Sequence, residues 1–345
     1  MLVIDDTLVP RGSLSAPGCG IRFDHAHKIN RPDFLRSQNW VTLGISIFTA
    51  EGRRWVLPVL SRLVPATGNR NKLTLALALI RALAPVADIP IRVLFDSWFM
   101  RARLVLPLLH RGLHVVGQAR RDTALYLPPP PRSGRGRPRK YGQKLTPTEI
   151  EALPATTLTL NLYGTDQTVR LRSVVALARF LHGTLVRAVW CEFFDPENQT
   201  WSKPRLLLAS ETQLSPETVL RIYSRRWGIE PLFHNLKRWW GIHNLWQQSR
   251  KALECWMQIR STAWSLAQLL VVVADESFPM RHVAPWRALH PLTAGLIAQW
   301  LRIDKPESIC SATASTPSPR NSSSPNSATI PDSRQPRPVH LRRAP

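Results

Sequence analysis

The sequence predicts a mixed α/β sheet with flanking helices and a β-rich insertion. Three observations carry this. Short apolar, β-branched segments alternate with Leu- and Ala-rich helical runs over the first third of the chain. The pattern changes after Arg120 to Pro-rich and strand-like segments. A strongly marked helix start follows at Ser215-Pro216-Glu217, with Ser as N-cap, Pro at the first helical position and an acid in the first turn.

Taken in order, Leu2-Val-Ile-Asp-Asp6 enters as a strand. Trp40 to Ile47 and Trp55 to Leu60 are two more, joined by a turn through Glu51-Gly52. Asn71 to Ala87 has helical spacing and stops near Pro90. Ile91 to Asp96 is apolar on both faces, which places it centrally in the sheet. Met100 to Arg111 reads as a helix and His114 to Gln118 as a strand. The insertion holds four consecutive prolines, Pro128 to Pro131, a basic loop from Arg132 to Lys140, and strands at Thr159 to Leu162, Val169 to Val175 and Leu185 to Trp190. Arg205 to Ser210 returns to the core as a strand, and a second helical run covers about Lys251 to Ala274. The expected organisation is a core first part over 1–119, the insertion over 120–204, core completion over 205–302 and a Pro/Ser-rich disordered tail over 303–345.

Composition narrows the function. The 345 residues carry 46 Lys+Arg against 23 Asp+Glu, a formal charge of +23. Such a field favours a polyanion as partner. No apolar run reaches the ~20 residues that span a bilayer, and the first residues carry no basic export signal. The four cysteines, Cys19, Cys191, Cys255 and Cys310, are too scattered for a zinc pattern or a disulfide framework. The default location is a reducing cytoplasm.

The most informative stretch is Tyr223-Ser-Arg-Arg226-Trp-Gly-Ile-Glu230-Pro-Leu-Phe-His-Asn-Leu-Lys237. On an ideal helix Tyr223, Arg226, Glu230 and Lys237 fall within roughly 60° of one another. One face then shows three groups suited to phosphate and one carboxylate suited to a metal. The same pattern also suits a solvated face with an Arg226–Glu230 pair. Gly228 and Pro231 predict a kink beside Glu230.

Asp96 closes a buried strand, where a carboxylate points into a crevice or caps the next turn. Asp5 and Asp6 stand on the first strand, and alternation allows only one of them to face a common site. Three carboxylates brought together repel unless cations neutralise them. Two Mg²⁺ ions, with Mn²⁺ as substitute, suit in-line displacement at phosphorus.

This constellation resembles the DDE-superfamily transposases. More narrowly, Tyr-x2-Arg-x3-Glu-x6-Lys is similar to the signature of the YREK (IS-four-type) bacterial insertion-sequence group, kept here at every spacing as Tyr223, Arg226, Glu230 and Lys237. The resemblance covers about Leu2 to Ala274. It implies an RNase H-like core and a metal-binding catalytic triad of Asp6, Asp96 and Glu230. Asp6 is preferred to Asp5 because family members put Thr or Gly after the catalytic Asp, as in Asp6-Thr7. It also implies that Tyr223, Arg226 and Lys237 hold DNA phosphates. The expected reaction is Mg²⁺-dependent cleavage at transposon ends followed by strand transfer, by a homodimer assembled on DNA. The end-recognition domain of the family is expected to be missing ahead of Met1, an N-terminal truncation. The alternatives are a repair or structure-specific nuclease on the same core, or an inactive DNA-binding remnant.

Three lesser features remain. Arg135-Gly-Arg137-Pro resembles an AT-hook core, although a flexible basic loop binding phosphates without sequence preference is the favoured reading. His25 and His27 are expected to be ordinary histidines rather than ligands. Trp98, Trp239 and Trp240 lie close enough in sequence to the candidate site to stack a displaced base.

Overall fold

A computed structural model of the chain describes residues 1–13, 15–24, 32–48, 54–66, 71–83, 89–131, 137–273, 284–287 and 291–303. His25, His27, Arg135, Cys310 and nearly all of the Pro/Ser-rich tail fall outside these residues. The strands are β1 (Leu2–Pro10), β2 (Cys19–Phe23), β3 (Phe34–Phe48), β4 (Arg54–Leu63), β5 (Arg92–Phe95), β6 (His114–Ala119), β7 (Leu125–Tyr126), β8 (Ala155–Leu162), β9 (Thr165–Ala178), β10 (Thr184–Asp195), β11 (Thr200–Trp201) and β12 (Arg205–Ala209). The helices are α1 (Asn71–Ala82), α2 (Ala102–Leu109), α3 (Pro147–Glu151), α4 (Pro216–Ser224), α5 (Ile229–Arg238), α6 (Arg250–Val273) and α7 (Ala294–Ile303).

The strands form one mixed sheet of 12, in the order β2-β3-β1-β5-β6-β12-β10-β9-β7, with β4 on β3, β8 on β9 and β11 on β10. Among the described residues only β1–β5 and β5–β6 run parallel. The result is an α/β fold with flanking helices, consistent with an RNase H-like core. The β-rich segment does not make a separate sheet: β10 pairs with β12 and β9 with β10, so these strands extend the core sheet.

Alternation along the strands sorts side chains between two cores. Leu2 and Ile4 of β1, Val93 and Phe95 of β5, and Leu206 and Leu208 of β12 pack with Leu79 and Ile80 of α1 and Leu104, Val105 and Leu108 of α2. Val3, Leu94, Val116 and Leu207 face the other way and pack with Leu220, Tyr223, Phe233 and Leu236 of α4 and α5 and Met257 of α6. The central strands bury both faces, which is why they read as continuous apolar runs. At about 25 cal/mol per Å² of apolar surface removed from water, this double burial is the main stabilising contribution of the sheet.

The break predicted beside Glu230 is present. Ser215 caps α4, its hydroxyl accepting from the Thr218 backbone N–H at 3.1 Å. After Ser224 the chain tightens into a 3₁₀ turn over Arg225–Gly228 before α5 begins at Ile229. Pro231 has no N–H to donate to the carbonyl four residues earlier, so the regular ladder cannot run through this turn. A Cβ on Gly228 would meet Val56 Cγ2 of β4 at 2.9 Å, so glycine is what lets the turn lie against the sheet. Beyond Trp240, Gly241 takes φ 65° and Arg260 donates to the Trp240 carbonyl at 2.7 Å, closing off the end of the α5 segment.

Candidate active site

The parallel register of β1 and β5 builds the site. Leu2 stands opposite Val93 and Val3 opposite Leu94. Just beyond these pairs, Asp5 and Asp96 come close enough for one carboxylate to act on the other. Neighbours in register point to the same face. Asp5 shares a face with Val3 and Asp96 with Leu94, both in the core that holds α4 and α5.

Arg226, from the 3₁₀ turn, closes the cluster. Its Nη1 donates to Asp5 Oδ2 at 2.8 Å and its Nη2 to Glu230 Oε1 at 2.8 Å. Asp5 and Arg226 are largely buried, whereas the Glu230 side chain is about half exposed (49%). Asp96 Oδ1 accepts from the backbone N–H groups of Trp98 and Phe99 at 3.0 and 3.2 Å. Asp96 therefore caps the turn after β5, and its carboxylate also acts on that of Asp5.

The electrostatics are those of crowded carboxylates in contact with the Arg226 guanidinium. Burial, then the Asp96 carboxylate, pushes Asp5 up to about 8, against the pull of Arg226. Burial also raises Asp96, opposed by the Phe99 N–H and by Arg226. Burial works against the charge on Arg226, but Tyr223, Asp5 and Glu230 together hold it above an ordinary guanidinium. Its Nε has no hydrogen-bond partner.

Asp6, the residue preferred from the sequence, is turned to the opposite face. Its Oδ2 accepts from Lys72 Nζ at 2.7 Å and from Asn39 Nδ2 at 2.8 Å, on the α1 side of the sheet. This corrects the geometric expectation that Asp6, Asp96 and Glu230 converge: the carboxylate beside Asp96 and Arg226 is that of Asp5. The Thr after Asp6 decided the sequence-based choice, and side-chain alternation overrides it. Nor do three ligand side chains close on a single point among the described residues. Arg226 lies between Asp5 and Glu230 instead.

The remaining expected residues are placed as follows. Tyr223 is buried (7% exposed), and its hydroxyl donates to Gln118 Oε1 at 3.2 Å. Burial pushes it up to about 12, so it stays a donor. Lys237 lies in the last turn of α5, partly buried. Arg137 is exposed on the basic loop. Trp98 is on the wrong face to stack a base at this site: it packs in the α1/α2 core, with Lys72 Nζ 4.5 Å from its ring. Trp239 is exposed, while Trp240 packs against the core.

Sequence reasoning missed Lys72 and Asn39, which hold Asp6, and Gln118, which holds Tyr223. Gln118 was detectable, being a polar residue at the carboxyl end of a buried parallel strand, as Asp96 is. It also missed Tyr163, at the tip of the β8–β9 hairpin in a left-handed conformation (φ 57°), whose ring meets Trp227 edge-on at 5.9 Å.

Residues 57–266 match the family model described as a transposase DDE domain, well over half of the chain. The chain belongs to the DDE transposase family. The match contains Asp96, Tyr223, Arg226, Glu230 and Lys237, and begins in β4, after Asp5. A comparison with curated proteins finds no match. DDE transposases act on DNA and generally use divalent metal ions. The donor set fits such an ion: two buried carboxylates side by side, with raised affinity for protons, form a site that a divalent cation would neutralise. No helix among the described residues is long and apolar enough to cross a membrane.

Proposed function

We propose that this DDE transposase domain cuts DNA at a site formed by Asp5, Asp96 and Glu230, and that it belongs to the YREK group. The observation that carries the reading is Arg226 bridging Asp5 and Glu230, with the Asp96 carboxylate acting on Asp5 from the end of β5. Asp5, Asp96 and Glu230 would hold Mg²⁺, or Mn²⁺ in its place. When bound, the metal supplies Lewis-acid stabilisation to phosphodiester displacement. Arg226 orients the carboxylates and, through its positive charge, offsets their mutual repulsion. Tyr223, kept protonated and fixed by Gln118, sets the position of the turn that carries Arg226. Lys237 contributes positive charge to hold a phosphate. End cleavage and strand transfer by a dimer on DNA are the family-level extension of this chemistry, in a nucleoid-associated setting.

Nicking of supercoiled plasmid in Mg²⁺ or Mn²⁺ tests the reading. Asp96→Asn and Glu230→Gln should each lower the rate by about 10² or more, the scale of losing one transition-state-stabilising group. Equal nicking by wild type and both variants would overturn it.

A further inference from the structure

A second feature lies along the same edge of the sheet as the carboxylates. The parallel strands β5 and β6 end there, at Phe95 just before Asp96 and at Ala119 just after Gln118, and antiparallel β12 begins there, with Leu206 opposite Ala119. Between them is a cavity of about 240 Å³ lined by Gln118, Arg121, Ser202, Lys203, Pro204 and Arg205. Small-molecule pockets usually measure ~300–1,000 Å³, so this one suits a single group rather than a whole ligand.

Its charge is uncompensated. Arg121, Lys203 and Arg205 are exposed and form no ion pair among the described residues. The nearest acid in sequence, Asp122, is engaged by Arg120, which donates through Nε and Nη2 at 3.0 Å each. Arg205 is steadied by the Phe193 ring, 5.3 Å from its guanidinium carbon. Gln118 ties the cavity to the carboxylate site, because its Oε1 accepts from Tyr223 and its amide nitrogen is left to donate. Three exposed cations and the Gln118 amide around one concave site suit a tetrahedral oxyanion, while the Ser202 hydroxyl is spent on the backbone, accepting from the Phe193 N–H at 2.9 Å and donating to the Lys203 carbonyl at 3.4 Å.

We propose that this cavity seats a backbone phosphodiester of the DNA strand running from the carboxylate site, so that β12 and the Lys203-Pro204 turn fix where the strand leaves. The assignment rests on the DNA-cutting reading above, and the experiment separates the two.

Binding to a short DNA duplex is measured by fluorescence anisotropy across a salt series, without divalent metal. The pocket variant is Arg121→Gln/Lys203→Gln. The control is Arg81→Gln/Arg111→Gln, which removes the same charge from exposed residues ahead of β5 and β6, at the other end of these strands. Each lost phosphate contact lowers the slope of log affinity against log salt by about 0.9. The pocket variant should lose about 1–2 in slope and bind about tenfold more weakly at moderate salt, with the control much less affected. Lys203→Arg should keep wild-type binding. Pocket and control variants that behave alike, or a pocket variant that binds as wild type does, would overturn the phosphate site alone. A wild-type protein that binds no DNA would overturn the DNA reading itself. Thermal melting of each variant confirms folding, and Lys203→Gln alone serves if the double variant does not fold.

Discussion

At the scale of single residues, Asp5 and Asp6 divide two tasks between adjacent positions. A strand turns successive side chains to opposite faces. Asp5 therefore meets Asp96 and Arg226, while Asp6 meets Lys72 and Asn39. Both pairs are largely buried, so a partner left alone would be costly. Asp6→Asn leaves the Lys72 ammonium without its counter-charge, under the Trp98 ring. It should cost on the order of 3 kcal/mol of stability, the scale of breaking a buried pair. Replacing both residues, as Asp6→Asn/Lys72→Met, should recover part of that loss in denaturant unfolding. A double variant as unstable as the sum of the single ones would argue against the pair. The sequence showed that only one of the two acids could face the site. It could not show which, because that depends on the β1–β5 register, which joins residues about ninety positions apart.

At the scale of elements, local signals were readable where the physics is local. The Ser215 cap, the turn forced by Gly228 and Pro231, and the apolar central strands all follow from near neighbours. The short β2 and the polar start of β3 were not anticipated. Gly20 in β2 and Arg36-Ser-Gln38 in β3 blunt the β pattern, and these segments exist because they pair with each other and with β1. The two-sided pairing of β12 was also beyond local reading, yet it sets up a pH-sensitive link. Glu211, just after β12 and 6% exposed, is gripped by Arg92 of β5 through Nε and Nη2 at 2.6 and 2.8 Å. Hydrogen bonding from Arg92 holds the Glu211 carboxyl below its ordinary value of 4.5. A depressed folded-state value means that the contribution is full above about 4.5 and is lost as pH falls through the folded value. Thermal melting between pH 7 and pH 3 should therefore show wild type losing more stability than Glu211→Gln. Parallel pH curves for the two would contradict the link.

At the scale of the molecule, the excess positive charge acquires an address. The +23 pointed to a polyanion without placing it. The fold gathers Arg121, Lys203 and Arg205 at the end of the sheet where β5 and β6 finish, close to Gln118. Three carboxylates set beside such a basic edge suit a strand held by its phosphates and cut at one of them. The α/β class and most strands were legible because burial on two faces leaves a clear apolar pattern. That the β-rich segment extends the core sheet was not, since it depends on pairing between β12 and β10.

The most direct measurement is the rate of plasmid nicking in Mg²⁺ by Asp5→Asn and Asp6→Asn, made side by side well below both melting temperatures. The account predicts that Asp5→Asn loses about 10² or more in rate, while Asp6→Asn, although less stable, stays within a few-fold of wild type. Loss of nicking in Asp6→Asn with activity retained in Asp5→Asn would contradict it.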